Sequence, residues 1–231
     1  MVLNRRASVS AGALFITATV AVLLATALSQ SLLDDPDYTS KISGNENRVA
    51  AAVLLEFIAA GASAGIAVSI YPVLKKWSDG LALGAVIFRS IEAVMYAAGA
   101  VCLLSLLTVS EQLARARTAE LSSFQAIGHL LAGLREHTIL AGVFAFSVGA
   151  IMYYGLLYRS RLVPRWLSGW GICSIVLTII ACLLSLFSNR PVTGYKILVL
   201  PIAVQEMVLA LWLLVKGFAA RPLPTAEAFE K

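Results

Sequence analysis

Residues 166–187 read WLSGWGICSIVLTIIACLLSLF and contain no charged residue. An α-helix rises about 1.5 Å per residue, so about 20 apolar residues cross the roughly 30 Å of hydrocarbon in a lipid bilayer. The stretch therefore predicts a membrane-spanning helix. Similar apolar blocks recur along the whole chain, so the length of the chain reflects the number of membrane-spanning helices and not the number of soluble domains.

The overall composition also excludes an ordinary soluble protein. Hydrophobic residues make up 59% of the 231 residues and charged residues 13%, and the mean hydropathy is +0.85. A soluble domain is about 45–50% apolar and about 25% charged. The net charge of +5 arises from Lys and Arg clustered at the ends of apolar blocks, which is typical of membrane topology. We therefore expect membrane lipids as partners and no nucleic acid.

Six apolar blocks can be separated, and they predict an all-α bundle of six transmembrane helices forming one domain over residues 1–231. The predicted spans are roughly 11–30, 49–74, 80–108, 137–158, 166–187 and 195–216. Arg5 and Arg6, followed by an apolar run ending in Ala25-Thr26-Ala27, also fit a cleavable signal peptide. We favour a retained helix because the run is long for a signal peptide and an even count keeps both termini on one side.

The basic residues predict the orientation and leave two long loops on the outer side. Residues 31–48 read as a polar loop with a turn at Asp35-Pro36-Asp37. Residues 111–136 carry apolar side chains at helical spacing, which predicts an extra amphipathic helix between spans three and four. Seven basic residues fall outside, and the ten on the predicted cytoplasmic side are Arg5, Arg6, Lys75, Lys76, Arg159, Arg161, Arg165, Lys216, Arg221 and Lys231.

Small residues mark where helices can approach closely in lipid. Gly61 and Gly65 form a G-x-x-x-G pair in span two. The pair fits packing within one bundle or the contact of a homo-oligomer, and both readings stay open. Cys102, Cys173 and Cys182 lie in apolar blocks without metal-site spacing, so we expect core residues and neither a disulfide nor a zinc site.

Four ionisable residues lie within the predicted spans: Glu56, Arg89, Glu92 and Glu206. A charge at mid-bilayer costs about 2.5–3.5 kcal/mol on insertion scales, so these side chains should face the bundle interior. Arg89, Glu92 and Tyr96 share one helical stripe. We expect the four charges to meet in one cluster that takes up a proton or cation to balance its excess carboxylates. The alternative is a salt-bridge network that only fixes helix register.

The two histidines give a weak case for a metal. His129 and His137 are eight residues apart, which is no recognised ligand pattern, and Glu136 is the nearest carboxylate in sequence. We expect surface or interfacial polar residues there. G-x-S-x-G, P-loop, G-x-G-x-x-G and H-E-x-x-H motifs are all missing from the sequence, so it predicts no catalytic residues, no metal and no cofactor.

Four stretches carry a resemblance to a known family. They are RASVSAG at 6–12, LALGAVIFRSIE at 81–92, LYRSRLVPRWL at 157–167 and EMVLALWLLVKG at 206–217. Together they resemble an uncharacterised family of bacterial multi-pass membrane proteins, known as domain of unknown function 4386. The resemblance implies a single domain that retains its first helix in a bacterial cytoplasmic membrane. It implies no substrate and no catalytic residue.

Arg159, Arg161 and Arg165 surround Pro164 in the third of these stretches and form a cationic elbow. Such a group attracts anionic lipid headgroups at about 1 kcal/mol per charge. We favour the simpler reading, a topology anchor.

Three functions compete at this point. The first is binding or transport of a small ligand, with or without coupling to protons, at a site made of Glu56, Arg89, Glu92, Tyr96 and Glu206. The second is a structural or regulatory membrane subunit whose charges serve assembly. The third is an integral membrane enzyme acting on a lipophilic substrate, for which no motif argues. The absence of an internal repeat weakens a conventional inverted-repeat transporter.

Overall fold

The computed structural model describes residues 2–33, 37–117, 120–188 and 190–220, and within them it contains helices and no strand. The helices are α1 (Val2–Leu33), α2 (Tyr38–Lys41), α3 (Glu46–Leu74), α4 (Asp79–Arg115), α5 (Leu121–Ser160), α6 (Arg165–Ser188) and α7 (Lys196–Val215). Short 3₁₀ turns precede α3 and α7. Asp35 and Pro36 of the predicted turn, and Arg221 and Lys231 of the predicted cytoplasmic set, lie outside the described residues.

The six long helices are each long and apolar enough to cross a membrane, which confirms the predicted fold class. A helix satisfies all its backbone hydrogen bonds internally, so it can cross hydrocarbon without exposing polar backbone. Large apolar side chains such as Leu54, Val94 and Leu186 point outward, where lipid covers them. Cys102 and Cys182 are buried as expected, whereas Cys173 is on the outer surface.

The two segments predicted as long loops are more helical than the sequence suggested. The expected amphipathic segment is helical from Leu121, but it continues without a break into span four as the first half of α5. The predicted polar loop contains the one-turn helix α2 and the buried Ile42. This loop is fixed to α4 because Ser110 Oγ donates to the carbonyl of Thr39 and accepts from the Ser43 amide at 2.8 Å.

The six long helices form a closed ring in the order of the sequence. The extensive contacts join α1 to α3, α3 to α4, α4 to α5, α5 to α6, α6 to α7, and α7 back to α1. Long helices that follow one another in the sequence are usually neighbours in space, which accounts for the first five contacts. The contact between α7 and α1 closes the ring and encloses an interior shared by all six helices.

Close backbone approach and polar contacts at one end join α1 to α7. Arg5 Nη2 donates to the carbonyl of Leu214 at 2.7 Å. A Cβ added to Gly12 would lie 2.8 Å from the carbonyl oxygen of Ala210, so only glycine fits against α7 at this point. The helix that could have been read as a signal peptide is thus an integral part of the ring, and its retention stays a prediction.

Replacing Gly12 with valine should open this contact. The added Cβ meets the Ala210 carbonyl of the α7 backbone, which cannot rotate away. We expect Gly12→Val to lower the free energy of unfolding by about 1–3 kcal/mol, the usual cost of overpacking. Thermal unfolding of the detergent-solubilised protein would measure it. Gly155→Val is the matched control because a Cβ there has nothing within 4 Å, and equal losses in both variants would contradict the proposed contact.

The two glycines of the G-x-x-x-G pair have different surroundings. A Cβ at Gly65 would lie 3.1 Å from Leu14 Cδ1, so Gly65 serves packing between α3 and α1. A Cβ at Gly61 would have nothing within 4 Å, and Gly61 lies on the outer surface of the ring. Internal packing therefore accounts for one member of the pair, and a homo-oligomer through both residues stays a prediction.

The two ends of the ring differ in charge. The basic side is defined as the end where α1, α4 and α6 begin and α3, α5 and α7 end. Its described charged residues include one acid, Asp79, and the basic residues Arg5, Arg6, Lys75, Lys76, Arg159, Arg161, Arg165 and Lys216. The opposite side carries both signs. This asymmetry is the pattern that the positive-inside rule associates with a cytoplasmic face.

Candidate functional site

An ion pair on α4 lies in the interior of the ring. Arg89 and Glu92 are three residues apart, which places them on the same helical face, and Arg89 Nη1 lies 3.1 Å from Glu92 Oε2. Only 2% of Arg89 and 4% of Glu92 is exposed. The inward stripe of α4 repeats every three or four residues, and its members are the buried Ala82, Ala85, Arg89, Glu92, Gly99, Leu103, Leu106 and Ser110, with the half-buried Tyr96 between Glu92 and Gly99.

Helix α5 makes room for the guanidinium and covers it. A Cβ at Gly149 would lie 3.4 Å from Arg89 Cγ and 3.2 Å from Phe88 Cβ, so glycine at this position lets α4 and α5 approach closely. The ring of Phe146 stacks under the charge, with its centroid 4.9 Å from Arg89 Cζ. A desolvated cation over an aromatic face is stabilised by about 2 kcal/mol.

Glu206 enters the same region from α7. Tyr153 of α5 donates its hydroxyl hydrogen to Glu206 Oε1 at 3.2 Å. The Glu206 carboxylate also interacts electrostatically with Arg89 and with Glu92. Tyr96 interacts with both members of the α4 pair, and its ring fits over Gly142, where a Cβ would lie 2.7 Å from Tyr96 Cε1. We call the group of Arg89, Glu92, Tyr96, Tyr153 and Glu206 the Arg89 cluster.

The Arg89 cluster contains buried polar atoms with no hydrogen-bond partner among the described residues. They are Arg89 Nε and Glu92 Oε2, and the hydroxyl of Ser63 on α3 interacts with the Glu92 carboxylate. Glu92 Oε2 is close to Arg89 Nη1, but the two are not aligned for a hydrogen bond. A buried polar atom without a partner costs about 1–3 kcal/mol, so these two atoms mark a place where a further polar group is stabilising.

A second polar network lies beside Glu206. Gln205 is fully buried; its Oε1 accepts from the Tyr154 hydroxyl, and its Nε2 donates to the carbonyl of Leu167 at 3.0 Å. Gly171 leaves room for the Tyr154 ring, because a Cβ there would lie 2.5 Å from Tyr154 Cε1. This network connects α5, α6 and α7 and fixes the part of α7 that carries Glu206. No pattern in the sequence singled out this network.

Glu56 does not join the Arg89 cluster. Its carboxylate forms a two-point ion pair with Arg135 of α5, in which Arg135 Nη1 donates to Glu56 Oε2 at 2.9 Å and Nη2 donates to Oε1. Arg135 Nη1 also donates to the carbonyl of Gly99 at 2.7 Å. Gly99 lies seven residues beyond Glu92 on α4, or about 10 Å by helical rise. The predicted four-charge cluster is therefore two separate groups.

The sequence predicted the wrong position for one ionisable residue, Arg135. It was assigned to an outer loop, but it lies in the first half of α5 and is 6% exposed. A signal was present in the sequence, because Gly128, Arg135, Gly142 and Gly149 follow one another at intervals of seven residues. That interval returns to the same face of a helix, so Arg135 shares the face that packs on α4.

The weak metal candidates lie at the end of the ring opposite the basic side. Tyr38 OH and His129 Nδ1 are 2.8 Å apart in a hydrogen bond, with the two rings edge to face. Burial raises the pKa of Tyr38, which favours its hydroxyl as the donor. Glu136 is half-buried and His137 is exposed. Within residues 2–33, 37–117, 120–188 and 190–220, no three His, Cys, Asp or Glu side chains are grouped to hold a metal ion.

The ring of six apolar helices and its buried charges define a polytopic helical membrane protein. Residues 10–217 match the family described as Domain of unknown function (DUF4386), and the chain belongs to that family. The match spans all six long helices, which agrees with the resemblance noted from the sequence. No curated protein and no solved structure matches the chain.

Proposed function

We propose that this membrane protein binds a small polar ligand together with a proton at the Arg89 cluster, and that it transports the ligand across the membrane. The observation that carries the proposal is the set of unpartnered atoms in the ring interior. Arg89 Nε offers an N–H donor and Glu92 Oε2 offers an acceptor, with Ser63 Oγ beside them. A ligand with both an acceptor and a donor group satisfies these atoms.

The charge balance of the cluster supports the proton. Two carboxylates, Glu92 and Glu206, face one guanidinium, Arg89. With all three ionised the cluster carries one negative charge in a region where water is excluded, and such a charge is costly. A proton on one carboxylate removes it, and a bound monovalent cation has the same effect.

The burial of Arg89 and Glu92 implies that the ligand enters by a movement of the helices. Arg89 and Glu92 are almost inaccessible, so this conformation is a closed one. Pro201 lies inside α7, one turn before Gln205 and Glu206, and removes a backbone hydrogen bond to the carbonyl of Ile197. A bend at Pro201 would carry Glu206 away from Tyr153 and open the cluster.

Infrared difference spectroscopy of the purified protein in lipid nanodiscs tests the proton. Between mildly acidic and mildly alkaline pH, we expect the carbonyl stretch of one protonated carboxyl group to disappear. That signal should be lost or shifted in Glu206→Gln or in Glu92→Gln, because each variant removes one of the two carboxylates that share the proton.

Glu56→Gln is the matched control for this experiment. Glu56 is also a half-buried glutamate of the ring, but it is paired one to one with Arg135 and has no excess charge to balance. The signal should persist in this variant. A spectrum of the unaltered protein without a protonated carboxyl at any pH, or one that changes only in Glu56→Gln, would contradict the proposal.

A structural or regulatory subunit is the second candidate, and the Glu56–Arg135 pair favours it. That pair is satisfied by its own partners and joins α3, α4 and α5, as a group that fixes helix register would. An enzyme acting on a lipophilic substrate remains the third candidate. We further propose a bacterial cytoplasmic membrane with the basic side and both termini in the cytoplasm, and contact between copies at Gly61.

A further inference from the structure

A surface cavity of about 470 Å³ opens on the basic side, away from the Arg89 cluster. It lies between the turn that joins α5 to α6 and the end of α7. Arg161, Arg165 and Lys216 supply its charge, and Val163, Pro164 and Trp212 are among its apolar lining residues.

The cavity is a fixed feature of the backbone. The Ala219 amide donates to the carbonyl of Leu162 at 2.8 Å, which joins the segment after α7 to the turn. Arg161 adopts a left-handed conformation with φ 53°, which ends α5 and turns the chain back toward α6. Gly217 has φ +72°, and a Cβ there would lie 3.2 Å from Ser8 Oγ of α1, so this segment is also held against α1.

The described lining of the cavity carries only positive charge. Three basic side chains line it, and the structure describes no acid among its lining residues. Arg165 stacks on Tyr158, with 5.3 Å from its Cζ to the ring centroid. Arg165 also opens α6, and the first turn of a helix presents backbone N–H groups and the positive end of the helix dipole. An anion in the cavity would therefore lie close to the basic side chains and to the N–H groups at the start of α6.

The position of the cavity indicates that the anion belongs to a membrane lipid. It lies where α5 and α7 end and α6 begins, at the level of the lipid headgroups for helices that cross the membrane. Trp166 and Tyr158 are exposed beside it, and such aromatic side chains are enriched at the membrane–water interface. Its apolar floor suits the glycerol and upper acyl region of a lipid.

We propose that this cavity binds a phosphate group, presented by the headgroup of an anionic membrane lipid. Arginine binds phosphate oxygens at two points, and a lysine adds a further positive charge. The proposal is independent of the ligand at the Arg89 cluster. The cationic elbow is then a lipid-binding site in addition to a topology anchor.

Native mass spectrometry of the purified full chain tests the proposal. The protein is mixed with phosphatidylglycerol, with phosphatidylcholine, or with phosphatidylglycerol and a similar concentration of inorganic phosphate. We expect the unaltered protein to retain phosphatidylglycerol in preference to phosphatidylcholine. In the triple variant Arg161→Gln, Arg165→Gln, Lys216→Gln, binding of phosphatidylglycerol should weaken by about a hundredfold.

The matched control removes three charges from the same side of the membrane but outside the cavity. We expect this triple variant to keep the preference for phosphatidylglycerol; its substitutions are Arg6→Gln, Lys75→Gln and Lys76→Gln. Equal retention of the two lipids by the unaltered protein, or equal losses in the two triple variants, would overturn the proposal. Displacement of the lipid by inorganic phosphate at similar concentration would show that free phosphate is the ligand and would overturn the lipid as its source.

Discussion

Arg135→Gln is expected to lower the free energy of unfolding by about 3–5 kcal/mol, the usual cost of removing one partner from a buried ion pair. The glutamine leaves the Glu56 carboxylate without its two-point partner and leaves the carbonyl of Gly99 without a donor. Unfolding of the detergent-solubilised protein by a denaturing detergent would measure the loss. Arg115→Gln is the control, because Arg115 is exposed at the end of α4.

The double variant Glu56→Gln, Arg135→Gln tests whether the loss of stability comes from the unpaired Glu56 carboxylate. With both charges removed, no carboxylate is left unpaired in the interior, so most of the lost stability should return. Additive losses from the two substitutions would show that the two residues do not stabilise each other in the folded protein, contrary to the geometry.

Arg89→Leu is expected to have an effect of similar size and, unlike Arg135→Gln, to leave two unpaired carboxylates. Without the guanidinium, Glu92 and Glu206 face each other in the ring interior with no positive charge. The contact with the Phe146 ring is lost as well. We expect a loss of about 3–5 kcal/mol at neutral pH and a smaller loss at acidic pH, where protonation neutralises the carboxylates.

Two further variants make the Arg89 experiment specific. Arg89→Lys keeps the charge but has neither the planar group nor its stacking on Phe146, so its loss should be intermediate. Adding Glu206→Gln to Arg89→Leu should restore part of the stability, because one unpaired carboxylate is removed. If the stability of Arg89→Leu were the same at acidic and neutral pH, the carboxylates would not be the source of its instability.

The crossing helices and the inward stripe of α4 could be predicted because each depends on one segment alone. An uncharged apolar block of sufficient length must cross the bilayer as a helix. The three-and-four spacing of Arg89, Glu92 and Tyr96 places them on one face whatever surrounds that helix. Both inferences rest on helix geometry and on the cost of charge in hydrocarbon, and they need no tertiary contact.

The pairing of Glu56 could not be predicted in this way because it depends on where α5 begins. Arg135, Glu136 and His137 suggested a boundary between the amphipathic helix predicted over 111–136 and a span beginning at 137, whereas α5 runs unbroken from Leu121 through this point. Tertiary contacts with the α2 segment and with α4 stabilise this extension. Gly128 fits against Thr39, where a Cβ would lie 2.8 Å from Thr39 Cγ2.

The network of Gln205, Tyr154 and Leu167 was missed for a different reason. Uncharged polar residues are tolerated in many membrane helices, so their presence in an apolar block carries little information. Their role depends on the ring order that brings α5, α6 and α7 together. That order follows from close contacts such as Gly171 against Tyr154, which no single segment specifies.

The intrahelical spacing of Arg89 and Glu92 has a consequence for biogenesis. Helices leave the ribosome in order, and Glu206 is synthesised after every other member of the Arg89 cluster. During insertion of the nascent chain, α4 already carries its own counter-ion one turn away, so the segment reaches the lipid nearly neutral. Glu56 has no such neighbour on α3, so its carboxylate stays unpaired until Arg135 is inserted two crossings later. The order of synthesis thus leaves Glu56 uncompensated until α5 is inserted, and it adds the excess carboxylate of the Arg89 cluster, Glu206, only with the final helix.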